Sequence, residues 1–98
     1  MDELPPLVVR AQGAAAKVGM PLSRQGTGPS ACLPGVGRFL AVLAAGCVDG
    51  SIGELGTGVG VGAAWMAGAM PDGCRLVTVE IDELRPLARC WRAIRGLR

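Results

Sequence analysis

The chain has no histidine and no tyrosine, and its only aromatic residues are Phe39, Trp65 and Trp91. Without histidine, and with Cys32, Cys47, Cys74 and Cys90 too widely spaced to make a CxxC pair, no metal site is expected. Long apolar runs are missing too. The longest one free of glycine, "FLAVLAA" at 39–45, is far short of the ~20 residues that cross a bilayer. The opening "MDELPP" is acidic and carries prolines, unlike a secretory signal, and reduced thiols in a cytoplasmic protein are the expectation. Charge of either sign is not in excess. Ten basic and eight acidic residues leave a net +2, which points to no membrane and no nucleic-acid partner for the chain as a whole.

What is present is small. The chain's 98 residues make one domain at most. Half of them are apolar, but many of those are alanine, and the 16 glycines are about twice the usual share. Each glycine loses backbone freedom on ordering, so a thin core and marginal stability follow.

Residues 5–18, "PPLVVRAQGAAAKV", read as a helix begun by prolines, with Gly13 as its weak point. Residues 19–31 cluster Gly, Pro, Ser and Thr and read as a loop. A second helix follows in "LPGVGRFLAVLAAGCV", where Val36, Phe39, Leu40 and Leu43 recur at helical spacing and Gly46 is a stop. "DGS" turns the chain into a short strand, "IGEL", 52–55. A glycine loop then opens a helix of small residues over about 60–70, which "PDG" at 71–73 ends. "RLVTVEI", 75–81, is the clearest strand, being β-branched and bounded by a turn. Asp82 is placed to cap a last helix, with Pro86 in its first turn. Strand, glycine turn, helix, strand is a βαβ unit, which predicts parallel strands joined by a right-handed crossover.

The stretch "IGELGTGVGVGAAW" sets one carboxylate, Glu54, ahead of Gly56, Gly58, Gly60 and Gly62. A loop this bare lets a ligand approach the backbone closely. A P-loop would need Lys and then Ser or Thr at the helix start, but Ala63 and Ala64 stand there. A dinucleotide fingerprint is met by Gly58, Gly60 and Ala63, with Glu80 at the distance of a ribose-binding acid. Glu54 opposes that reading, because a carboxylate beside a pyrophosphate repels it. S-adenosylmethionine has no phosphate and carries a sulfonium and an amino group, so an acid beside the loop helps to hold it. The loop is also readable as a packing device alone, with both glutamates solvated.

Glu54, Gly56, Gly58 and Gly60 form an ExGxGxG pattern. With the turn "PDG", the strand "RLVTVEID" and the upstream "LPGVGRFLAVL" in the same order, the sequence resembles the class I S-adenosylmethionine-dependent methyltransferases, and within them the small-molecule O-methyltransferases. The likeness runs from about Leu33 to Arg89. It implies an α/β, Rossmann-like fold of which this chain is the amino-terminal half, two leading helices and a βαβα unit. Residues 1–31 would be the leading helix and loop, and 32–98 the half domain. By the resemblance, Glu54, Gly56, Thr57, Gly58 and Gly60 line the methionine part of S-adenosylmethionine, and Glu80 accepts from the ribose hydroxyls. Gly53 departs from the family's large aliphatic residue and weakens its strand.

The family's substrate-side strands have no counterpart here, and no catalytic residue is assigned. The expectation is a truncated chain, weakly active or inactive alone, that pairs with a copy of itself or with a complementing polypeptide. Its acceptor, if it is active, would be a small molecule methylated at oxygen. Two other classes stay open. One is a non-enzymatic partner-binding module that uses the open sheet edge or the last helix. There Arg85, Arg89, Arg92 and Arg95 oppose Leu84, Leu87, Trp91 and Ile94. The other is half of an NAD-binding domain. Cys47, Cys74 and Cys90 are expected as buried, inert thiols, and Cys32 as unactivated.

Overall fold

A computed structural model describes residues 3–24, 26 and 28–80. The elements run α1 (Pro6–Lys17), α2 (Pro34–Ala45), β1 (Ser51–Leu55), α3 (Val61–Ala69) and β2 (Arg75–Val79). Both leading helices begin on a proline, where a missing N–H has no helical partner to lose. α1 runs through Gly13 without a break. Gly46 ends α2 as foreseen, though with φ −82° rather than in the left-handed region. β1 starts one residue earlier than the sequence indicates. The last helix, with Asp82, its four arginines, Trp91 and Cys90, lies outside the described residues.

The strands pair in parallel, Ser51 opposite Arg75 through Leu55 opposite Val79. This is the βαβ unit expected, an α/β arrangement of three helices and a two-stranded parallel sheet, compatible with part of a Rossmann-like fold. Alternation along both strands turns Ile52, Glu54, Leu76 and Thr78 toward the helices, and it leaves Ser51, Gly53, Leu55, Arg75, Val77 and Val79 exposed. Leu55 is 92% exposed. Among the described residues, one face of the sheet is covered and the other is left bare, so they supply half of the burial that a parallel pair needs. Gly53 sits on the bare face, where a side chain would meet nothing.

The core is as thin as the composition implies. Val8, Ala11 and Ala15 of α1, Ala31 of the loop, and Val59, Val61, Ala64 and Trp65 around the start of α3 make up its buried set. Trp65 is the one large aromatic in it and is 4% exposed. α2 reaches Trp65 through Gly37: a Cβ there would clash with the indole ring. This close approach fixes which side of α2 faces inward. Gly37 and Ala44 are its buried residues. Of the apolar stripe at helical spacing, Val36, Phe39 and Leu43 point outward instead, with Phe39 63% exposed, and Leu40 is partly buried. Among the described residues the buried indole N–H has no partner, a deficit of about 1–3 kcal/mol. Arg38 covers the ring from outside, 5.7 Å from its centroid. Among the described residues, no helix is long and apolar enough to cross a membrane.

Candidate functional site at the carboxyl ends of the strands

Gly56, Gly58 and Gly60 take φ values of 90°, 55° and 81°, a left-handed backbone that side chains rarely adopt. Three such turns in five residues carry the chain from β1 over the end of β2 and into α3. The loop is pinned by its own amides. Gly56 and Thr57 N–H both donate to the Val79 carbonyl, at 2.7 and 3.0 Å, and Gly60 N–H donates to the Thr57 carbonyl at 2.9 Å. Gly58 N–H donates to Glu80 Oε1 at 2.7 Å. Outward from Gly56 and Gly58 there is open space within 4 Å of where a Cβ would stand.

Glu54, near the end of β1, turns inward under this loop and is half-buried. Its Oε2 lies 3.1 Å from the position a Cβ on Gly62 would take, so the first turn of α3 abuts the carboxylate. That end of the helix, which favours negative charge, thus already has a carboxylate beside it. Thr78 Oγ1 donates to Glu54 Oε1 at 2.7 Å. Burial raises the Glu54 carboxyl above its ordinary pKa, and the Thr78 hydrogen bond opposes the rise. Thr57 Oγ1 and Thr78 Oγ1 are 2.6 Å apart. Thr78 has one hydroxyl proton, and an ionised Glu54 takes it, so Thr57 must donate to Thr78.

The residues read from the sequence therefore converge. Glu54 and Thr57 are joined through Thr78, Gly56 and Thr57 share the Val79 carbonyl, and Gly58 holds Glu80, all at the carboxyl ends of the two strands, with Gly60 as the residue before α3. Open α/β sheets bind their ligands at this end. Thr78 escaped the sequence reading. Its signal was there: Thr78 stands two residues before Glu80 on the same face, and it pairs with Glu54 once the strands lie in register.

The arrangement fits S-adenosylmethionine on three counts. The loop offers room above Gly56 and Gly58. The half-buried Glu54 carboxylate lies beneath it and suits a ligand with positive charge. Four of the five loop amides, those of Gly56, Thr57, Gly58 and Gly60, are already bonded within the chain, which leaves these four little with which to grip a phosphate. Among the described residues, no group of three or more His, Cys, Asp or Glu side chains could hold a metal ion. Cys32 lies beside Gly62 and Glu54, and its thiol pKa is raised by burial first and by the Glu54 charge second. It is no more reactive than the sequence suggested.

No model of a known protein family matches the chain. A stretch of 49 residues, 50% of the chain, is 47% identical to a catechol O-methyltransferase of Niastella koreensis. That stretch covers 22% of the relative's length, so the chain corresponds to about a fifth of the curated protein it matches. The similarity supports kinship with the S-adenosylmethionine-dependent methyltransferases, at the level of the family and no finer.

Proposed function

We propose that this chain binds S-adenosylmethionine at the glycine loop, as the cofactor-holding part of an O-methyltransferase acting on a small molecule. The observation that carries the reading is the placement of Glu54 and Glu80 beside an open glycine loop, four of whose five amides are bonded within the chain. When bound, S-adenosylmethionine supplies a methyl carbon made electrophilic by its sulfonium. The chain's residues bind and orient. Glu54, fixed by Thr78, accepts from the ligand's ammonium, and its raised pKa reflects a charge that gains from a cationic partner. Glu80 holds Gly58 through Oε1 and accepts from the ribose hydroxyls. Among the described residues no side chain is placed to activate an acceptor oxygen. Methyl transfer therefore depends on groups beyond them, on the same or another polypeptide.

Calorimetric titration with S-adenosylmethionine and S-adenosylhomocysteine tests the reading, with NAD as competitor. Saturable binding is expected. It should weaken at least tenfold in Glu80→Ala, a loss of about 1.4 kcal/mol or more, as suits a charge-assisted hydrogen bond. A folded chain that binds neither compound would remove the proposal, and preference for NAD would replace it with the dinucleotide reading. A second reading, a partner-binding module, draws on the bare sheet face of Leu55, Val77 and Val79. A partner held there should be indifferent to Glu80→Ala.

A further inference from the structure

Cys47 and Cys74 are 27 residues apart in the chain, and the sequence offers no reason to pair them. The fold does. Both strands start together, Ser51 opposite Arg75, so the segments that feed them run side by side. Arg75 N–H donates to the Gly50 carbonyl at 3.0 Å and ties the two segments just ahead of the sheet. In this setting the Cys74 thiol stands 2.9 Å from Cys47 Sγ and 3.0 Å from the Cys47 carbonyl oxygen. Neither residue is buried, contrary to the expectation of inert core thiols; both are partly open to solvent. Thiols in such contact need to close by only about 1 Å to reach disulfide bonding distance. Cys32 is elsewhere, beside Glu54 and Gly62, hydrogen-bonded to the Leu33 carbonyl.

We propose that Cys47 and Cys74 are a redox modification site: they form a reversible disulfide that locks the βαβ unit at the amino ends of its strands. The oxidant is a low-molecular-weight disulfide. One protein sulfur, as thiolate, attacks it and forms a mixed disulfide, releasing one small thiolate, which takes up a proton. The second protein sulfur loses its proton and attacks the first, expelling the other small thiol. The protein pair gives up two electrons and two protons, and the external disulfide becomes two thiols. The new bond closes a ring that contains β1, the glycine loop and α3. It leaves Glu54, Thr57, Gly58 and Glu80 untouched at the opposite ends of the strands.

The test uses the full chain, reduced and then equilibrated with glutathione and glutathione disulfide at graded ratios. Remaining thiols are alkylated and the digest is read by mass spectrometry. The expected product is a monomer lighter by two hydrogen atoms, with the Cys47–Cys74 cross-linked peptide about tenfold or more above all other pairings together. In urea that preference should vanish. A native pairing pattern like the one in urea, glutathione adducts without a bridge, or bridges between chains would overturn the proposal. The variant Cys32→Ser/Cys90→Ser keeps only the pair. Its melting midpoint should rise on oxidation by about 10 °C and fall back on reduction. An oxidised chain that melts no higher than the reduced one would overturn the lock.

Discussion

Thr78 Oγ1 donates a hydrogen bond to Glu54 Oε1 across the parallel register that makes the two residues partners, at 2.7 Å. With Glu54 ionised, the same hydroxyl accepts from Thr57 in the loop above. One threonine thus couples the position of the carboxylate on β1 to the shape of the glycine loop.

Replacing that threonine by its apolar near-isostere separates the two roles. Thr78→Val keeps the β-branched shape that suits a strand and removes both hydrogen bonds. Glu54 then loses the contact that opposes its raised pKa, and Thr57 loses its acceptor. A stability loss of about 1–2 kcal/mol is expected. Affinity for S-adenosylmethionine should fall about tenfold, with Thr78→Ser restoring much of it. Urea denaturation and calorimetric titration of the three proteins would show this. Unchanged affinity in Thr78→Val would mean that Glu54 does not need its support.

The raised Glu54 carboxyl has a definite sign in pH. A group whose folded pKa lies above its unfolded value adds stability below the unfolded pKa and loses that addition as pH rises through the folded one. Glu54→Gln, which resembles the protonated acid and can still accept from Thr78, should therefore match the parent chain below pH ~4.5 and be the more stable of the two at pH 7. Glu54 is only half-buried, so screening keeps the gain below about 1 kcal/mol. The same variant should bind S-adenosylmethionine more weakly. Denaturation midpoints against pH would reveal the crossover, and a variant less stable at pH 7 would contradict the burial argument.

Two glycines in helices should respond oppositely to alanine. Gly37→Ala drives a methyl into the Trp65 ring and should cost about 2–3 kcal/mol, enough to unfold a chain with so little core. Gly13→Ala adds a methyl where nothing lies within 4 Å in the middle of α1, and it should stabilise by about 0.5–1 kcal/mol. Thermal melts followed by circular dichroism would test the pair. If both changes destabilised, close packing of Gly37 on Trp65 would not be the reason.

The loop's left-handed glycines make a third comparison. Gly58→Ala must hold φ near 55° or abandon the bond from its amide to Glu80. Strain of about 1–2 kcal/mol is expected, together with weaker cofactor binding. A Gly58→Ala chain as stable as its parent, with equal affinity, would show that the loop has another shape in solution.

Much of this architecture could be read from residue pattern. Prolines at helix starts, the β-branched run read as 75–81, which the strand leaves after Val79, and the ordered glycines mark the five described elements closely, because each signal acts on its own neighbours. The proximity of Glu54 and Glu80 to the loop was legible because they bracket it in sequence as well as in space. What pattern missed depends on docking between elements. The outward turn of Phe39 and Leu43 follows from Gly37 being the residue that admits Trp65, and helical spacing alone is blind to which stripe a neighbour accepts. Thr78 and the thiol contact of Cys47 with Cys74 follow from the strand register, which no local window contains.

The bare sheet face sets the fate of the free chain in a cell. Leu55, Val77 and Val79 stand exposed on one face of a two-stranded sheet, the kind of apolar surface that aggregates and that chaperones and proteases find in incompletely folded proteins. The lifetime of the chain would then be governed less by its intrinsic stability than by how quickly that face is covered. Its abundance should follow that of whatever covers it.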